Sequence, residues 1–240
     1  KIIDNSTLVS LEGLNPTTAQ SIIISNNPSL QDLGAIGTIE QLAGDLNING
    51  NLALTSLAGL RGLNRIQGEL TLHHNTALES LAGLEALTHI EADLVLLNLP
   101  TLDDVHALTN LAIIGGDFGI QGCHSLIELT GLETVRGIGG GIVFYDNQSI
   151  KSLSGLAGLK QLGSDLIIHN HGALESLNGL NALAQIEGEI EFYNNHALED
   201  VMALASLDSI GSDVRFESNH SLSSCHLEVM IDSIGKENIG

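Results

Sequence analysis

The chain has 240 residues, 43% of them hydrophobic, and sets 8 Lys plus Arg against 29 Asp plus Glu, a formal net charge of −21. Such a chain repels polyanions and acidic membrane surfaces, which argues against nucleic acid as a partner. A mean hydropathy of +0.22 excludes a disordered acidic tail. Aromatics are only 2% and Trp is absent, so Leu, Ile, Val and Ala must fill the interior.

No apolar run reaches the roughly 18 residues of a membrane span, and no basic and apolar leader opens the chain; no membrane insertion is expected of this segment. The chain begins at Lys1 without Met, as expected where a leader has been removed or a longer protein cut.

Residues 1–26 read as an irregular first coil, because Asn5 precedes Asn27 by 22 residues and Pro16 interrupts the return between them. From 27 to 222 the period is 24. The anchors are Asn27, Asn51, Asn75, Leu99, Cys123, Asn147, His171, Asn195 and Asn219. Three and five residues before every anchor the side chain is apolar, as in Leu70 and Leu72, and three residues after it stands Leu or Ile. Alternation of this kind is a short strand. Apolar residues at every third position, as in Leu78, Leu81, Leu84, Leu87 and Ile90, predict 3₁₀-like or extended turns in the return.

One unit cannot bury seven apolar positions alone, so neighbours must stack. The expected fold is mainly β: a right-handed parallel β-solenoid of about nine 24-residue coils forming one domain over 1–240. Small residues in one column, Ala35, Gly59, Gly83, Ala107, Gly131, Gly155, Gly179 and Ala203, are expected where the return is crowded. The Asn file is expected to satisfy buried backbone groups, with local backbone adjustment at Leu99 and His171. Asn5-Ser-Thr, Asn147-Gln-Ser and Asn219-His-Ser match the glycosylation pattern. The latter two fall on the buried file, leaving Asn5 as the expected acceptor.

Residues 223–240 form the C-terminal cap. Leu227, Met230, Ile231 and Ile234 fall on one helical face, with Gly235 following. Cys123 and Cys225 lie about four coils, roughly 20 Å, apart, too far for a disulfide. Two buried thiols are expected.

Two columns carry the functional expectations. Six residues before the anchors, seven of nine positions are acidic, including Asp93, Asp117, Asp165 and Glu189. Carboxylates stacked at about 4.8 Å repel, by roughly 0.9 kcal/mol in water and 3.5 at an effective dielectric near 20. Either they accept backbone N–H bonds beside the preceding glycines, or they form a line of oxygen ligands for Ca²⁺. Two residues before the anchors, on the outward face, His73, Leu97, Tyr145, His169 and Tyr193 share a row, with Val143 and Ile167 alongside. Tyr145, His169 and Tyr193 are successive and should stack into an aromatic stripe, a surface for a protein or a sugar ring, or a device of sheet stability alone. The ten histidines lack metal-site spacing and read as surface residues.

The unit L-x-x-L-x-G-L-x-x-L-x-x-I-x-G-[DE]-L-x-I-x-x-N at Leu54 to Asn75 and Leu174 to Asn195 resembles a leucine-rich repeat, with Cys123 at the Asn/Cys position. More closely, the I-x-G-D-L-x-I run at 24-residue spacing looks like the receptor L-domain superfamily over roughly residues 5 to 226. That family includes ligand-binding lobes of growth-factor and insulin-type receptors, fungal cell-wall proteins and bacterial surface proteins. The resemblance implies an extracellular or cell-surface recognition module, and the lack of a phosphate loop, a G-x-S-x-G elbow or an H-E-x-x-H run points away from an enzyme. This chain is poorer in cysteine and more regular than the receptor domains, so their hormone site is not carried over. The alternatives are a passive surface spacer and a β-helix polysaccharide-degrading enzyme. The unbroken spacing leaves the enzyme no loop to wall a cleft, and an ice-binding solenoid would want Thr columns where only Thr71 occurs.

Overall fold

The computed structural model describes residues 1–14, 16–34, 36 and 38–235. The alternating pairs form the strands expected of them. Ten parallel strands run in chain order, from Ile2–Ile3 and Ile22–Ser25 to Ile190–Tyr193 and Val214–Glu217. Register advances by 24 residues from Ile22↔Leu46 through Ile190↔Val214, and by 22 at Ile2↔Ile24. Each coil after the first then returns through a second parallel sheet of eight two-residue strands, Gln41–Leu42 to Ser209–Ile210. The protein is thus a parallel β-solenoid of about nine coils. Its mainly aliphatic core lies between the sheets: Leu70, Leu72, Leu78, Leu81, Leu84, Leu87 and Ile90 of a single coil are all fully buried. Each such side chain contributes about 1.5–3 kcal/mol, and only stacking makes that burial available.

The returns come in two forms that alternate. One has a 3₁₀ turn, at Ala58–Leu60, His106–Leu108, Ser154–Leu156 and Met202–Ser206. Backbone N–H groups at Ala58, His106 and Met202 donate to the side chains of Ser56, Asp104 and Asp200. The coils between use a glycine at positive φ, Gly83, Gly131 and Gly179, whose N–H donates to Glu85, Glu133 and Asn181 respectively. The small-residue column therefore has two causes. Gly is obligatory in the second form, while Ala107 and Ala203 sit only in the first; Ala35 lies outside the described residues.

Helix α1 (Ser224–Ile234) closes the C-terminal end. Ser223 caps it by accepting from the N–H of Cys225 at 3.2 Å. Met230 and Ile234 are buried, and Leu227 and Ile231 pack against the core. At the other end Ile2–Ile3 covers only part of its neighbour strand, leaving a cavity of about 450 Å³ lined largely by Leu14, Pro16, Ile22, Ile24, Ile36 and Ile39. Both thiols are free: Cys123 is buried, but Cys225 is exposed in the first turn of α1, which corrects the expectation of two buried ones. Among the described residues no helix is long and apolar enough to cross a membrane.

Candidate functional site

The anchor file is a buried amide ladder. Asn51 accepts from the backbone N–H and side-chain amide of Asn27, both at 3.1 Å, and donates to the carbonyl of Ile24 at 2.9 Å. Asn75, Asn147, Asn195 and Asn219 repeat the last bond, each to the carbonyl 27 residues behind. Asn5 heads the file: its Nδ2 donates to Ile3 O and to Asn27 Oδ1, both at 3.0 Å, so the expected glycosylation acceptor is already hydrogen-bonded. The residue before every anchor, from Asn26 through His74 and Asn98 to Ser218, has positive φ. Asn98 and Asn170 share it, and strand register passes Leu99 and His171 unbroken. The expected backbone adjustment there is absent.

The acidic column resolves into structural acceptors. Oδ1 of Asp45, Asp93, Asp117 and Asp165 accepts the backbone N–H of Glu69, Asp117, Gly141 and Glu189 respectively, at 2.7–3.2 Å. A Cβ added at Gly68, Gly116, Gly140 or Gly188 would lie about 2 Å from the Oδ1 of the same Asp. Where the preceding coil carries Glu69, Gly141 or Glu189 instead, the corresponding residue is Ala92, Ser164 or Ser212. Aspartate in one coil thus requires glycine in the next. Glu189 turns instead to Arg215, at 3.3 Å. Among the described residues no three His, Cys, Asp or Glu side chains gather as a metal-holding group. Asp93, Asp117 and Asp165 each accept a backbone amide, as the first of the two readings of this column expects.

The outward row does gather. Strand register places Tyr145 beside His169 and His169 beside Tyr193. Their ring centroids are 5.0 and 5.7 Å apart and their planes cross at 82° and 64°, so both tyrosines stand edge-on to the histidine between them. Val143 and Ile167 pair alongside, followed by Glu191 and Arg215. Tyr193 is 42% exposed, Arg215 is also exposed, and the others are half-buried. Burial, then the charge of Glu191, raises the Tyr145 hydroxyl above its ordinary range. His169 Nε2 lies 3.3 Å from Glu191 Oε1 but is not aligned for a hydrogen bond, and it is buried without another partner. Arg215 is held by Asp213 at 2.6 Å as well as by Glu189.

His73 and Leu97 share this row but not this cluster, since Gln121 intervenes before Tyr145. His73 instead meets His74, centroids 4.0 Å apart, and both Nε2 atoms approach Asn98 Nδ2 at 3.4 and 3.5 Å. Burial, then the neighbouring His74, lowers the His73 imidazole below its ordinary range. His196 and His220 stack on the adjoining turns, 5.0 Å apart.

Beside the aromatic stripe runs a polar row that the sequence reading missed. Asn170 Nδ2 donates to Asp146 Oδ1, and Asn194 Nδ2 to Asn170 Oδ1, each at 2.8 Å. These are the positive-φ residues immediately after Tyr145, His169 and Tyr193. Asn and Asp tolerate that conformation better than other L-residues, and this preference was the available signal. The arrangement is a ridge of two phenols and an imidazole with a fixed line of amides and one carboxylate at its side, suited to holding a ligand with both apolar and hydroxyl faces. No protein-family model matches the chain, and no curated protein matches it at a significant level.

Proposed function

We propose that this protein is a non-enzymatic recognition or adhesion module, displayed at a cell surface or secreted, that binds a protein or glycan on the outward face of its ten-stranded sheet. The observation that carries this reading is the contiguous stripe Tyr145, His169 and Tyr193, set on a rigid parallel sheet with Val143 and Ile167 alongside. Aromatic side chains of limited conformational freedom, presented in fixed register, bind with little ordering cost. The resemblance of the 24-residue unit to receptor L-domains supports the same reading. A non-catalytic role is supported by register that runs through the coils without an inserted loop to build a cleft, and by Arg215 being paired with Asp213 and Glu189.

The test is a glycan and surface-protein binding array probed with the native chain and with Tyr145→Ala/Tyr193→Ala. The double variant is expected to lose at least tenfold in binding while its melting temperature shifts by a few degrees at most. Undiminished binding by the variant would move the site off this face. A native chain that captures nothing would favour the passive spacer.

A further inference from the structure

The chemistry of this face selects between its two classes of partner. We infer that the stripe binds an uncharged, extended β-linked polysaccharide laid along the solenoid axis, one sugar unit per coil; the inference rests on the recognition role proposed above. Four observations lead to it. The first is spacing. Adjacent strands are about 4.8 Å apart, close to the advance of one sugar along an extended β-linked chain. Tyr145 and Tyr193 occupy alternate rungs, with His169 between. In such a chain alternate sugars turn over, so every second unit presents the same apolar face, and two rings on alternate rungs meet two equivalent faces.

The second observation is the polar row. A pyranose carries C–H groups on its faces and hydroxyls around its rim, so it needs aromatic surface below and hydrogen-bonding groups at one side. Asp146, Asn170 and Asn194 supply that side, one per rung, each following a residue of the stripe. Each ladder bond engages one of an amide's two N–H donors, so Asn170 and Asn194 each keep a second for a hydroxyl. Because the row is already tied together, its orientation is set before the ligand arrives.

The third is charge. The protein carries −21 overall, Glu191 and Glu217 lie on the same strands as Tyr193 and its neighbour, and Arg215 is matched by Asp213 and Glu189. An anionic polysaccharide would be repelled. The fourth is width. A protein partner usually needs a broad, desolvated centre, whereas each four-residue strand here turns only two side chains outward, Val143 with Tyr145 and Ile167 with His169. A single glycan strand fits a stripe of that width.

Calorimetric titration with cellohexaose and with chitohexaose tests this, polygalacturonate serving as the anionic counter-probe. The native chain is expected to bind at least one of the neutral oligosaccharides and not the polygalacturonate. Tyr145→Ala/Tyr193→Ala should weaken that binding at least tenfold, Asn170→Ala/Asn194→Ala severalfold, and Tyr145→Phe/Tyr193→Phe should retain it, which separates lost rings from a lost fold. If neither neutral oligosaccharide binds, or if polygalacturonate binds as well, the glycan inference is overturned, while the array still decides whether the face recognises a protein. If the oligosaccharide binds the alanine double variant as tightly as the native chain, the glycan inference and the face itself both fall.

Discussion

The coils from Asn27 to Asn75 and the coils at Leu99, Cys123 and His171 differ in side chain at the same buried position, yet their backbones agree. In the first group an amide bonds the coil before and receives from it. Leu99 offers neither donor nor acceptor from its side chain. Cys123 substitutes weakly: its sulfur lies 3.8 Å from the carbonyls of Leu96 and Gln121, and it receives the Leu99 backbone N–H. His171 reproduces the amide more fully, with Nε2 facing Asn147 Nδ2 at 3.2 Å and Nδ1 facing the His169 carbonyl at 2.8 Å. All keep the same 24-residue register and the same positive φ at the preceding residue. The shape of the turn is therefore set by that residue and by burial of the strand pair, while the amide contributes energy.

The largest break of this comparison is Asn51→Leu. It removes the donor to the Ile24 carbonyl and the acceptor for the Asn27 N–H, both deeply buried. The two stranded groups cost about 2–6 kcal/mol at about 1–3 each, of which burial of the new leucine returns about 1.5–3, so a net loss of up to about 4 kcal/mol is expected. Urea unfolding reads the loss, and hydrogen exchange should show it concentrated in the coils flanking position 51. Native-like stability in the variant would mean that the amide contributes no more than the buried leucine that replaces it.

His171 sharpens the comparison through pH. Burial pushes its imidazole down from an ordinary 6.5 to about 4, outweighing the hydrogen bond to the His169 carbonyl and the nearby Asp146 charge, which act in the opposite sense. The folded state therefore binds fewer protons than the unfolded state between these values. The stabilisation is complete above pH 6.5 and is lost as pH falls toward 4, to a total of about 3 kcal/mol. His171→Asn, which restores the common side chain of the file, should flatten the His171 part of the slope in this window. Unfolding free energies of the two proteins, measured at half-unit steps from pH 7.5 to 4, should diverge steadily. Parallel curves would show that His171 is not the buried base.

The files themselves were legible from the sequence because every coil repeats the same inward positions: Leu70, Leu94 and Leu166 occupy equivalent fully buried sites on parallel strands. What escaped were relations between coils. The alternation of 3₁₀ and positive-φ returns has a period of two coils, and its signal was Glu85, Glu133 and Asn181 placed two residues after Gly83, Gly131 and Gly179. The pairing of Asp165 with Gly188, against Glu69 with Ala92, likewise appears only when one coil is read against the next. Of the candidate site, the aromatic stripe was legible because strand register alone sets it. The row Asp146, Asn170 and Asn194 was not, because its residues follow the strands and its bonds depend on side-chain direction at positive φ.

The smallest expected effect is the most informative about the ladder. Leu99→Asn is the reverse of the exchange at position 51, but the two should not mirror one another. Burying Leu99 contributes about 1.5–3 kcal/mol, which the variant forfeits. In return the new amide would receive the Asn75 N–H and donate to the Leu72 carbonyl, as its counterparts do at positions 51 and 147, at about 1 kcal/mol net for each bond. The two terms nearly cancel, and the unfolding free energy should stay within about 1 kcal/mol of the native value. The asymmetry arises because Asn51→Leu strands partners that were already bonded, whereas Leu99→Asn brings its own bonding capacity to a backbone shaped to receive it. A loss above about 3 kcal/mol at position 99 would mean that the amide cannot reach its partners there, and that the shared register conceals a turn of different shape.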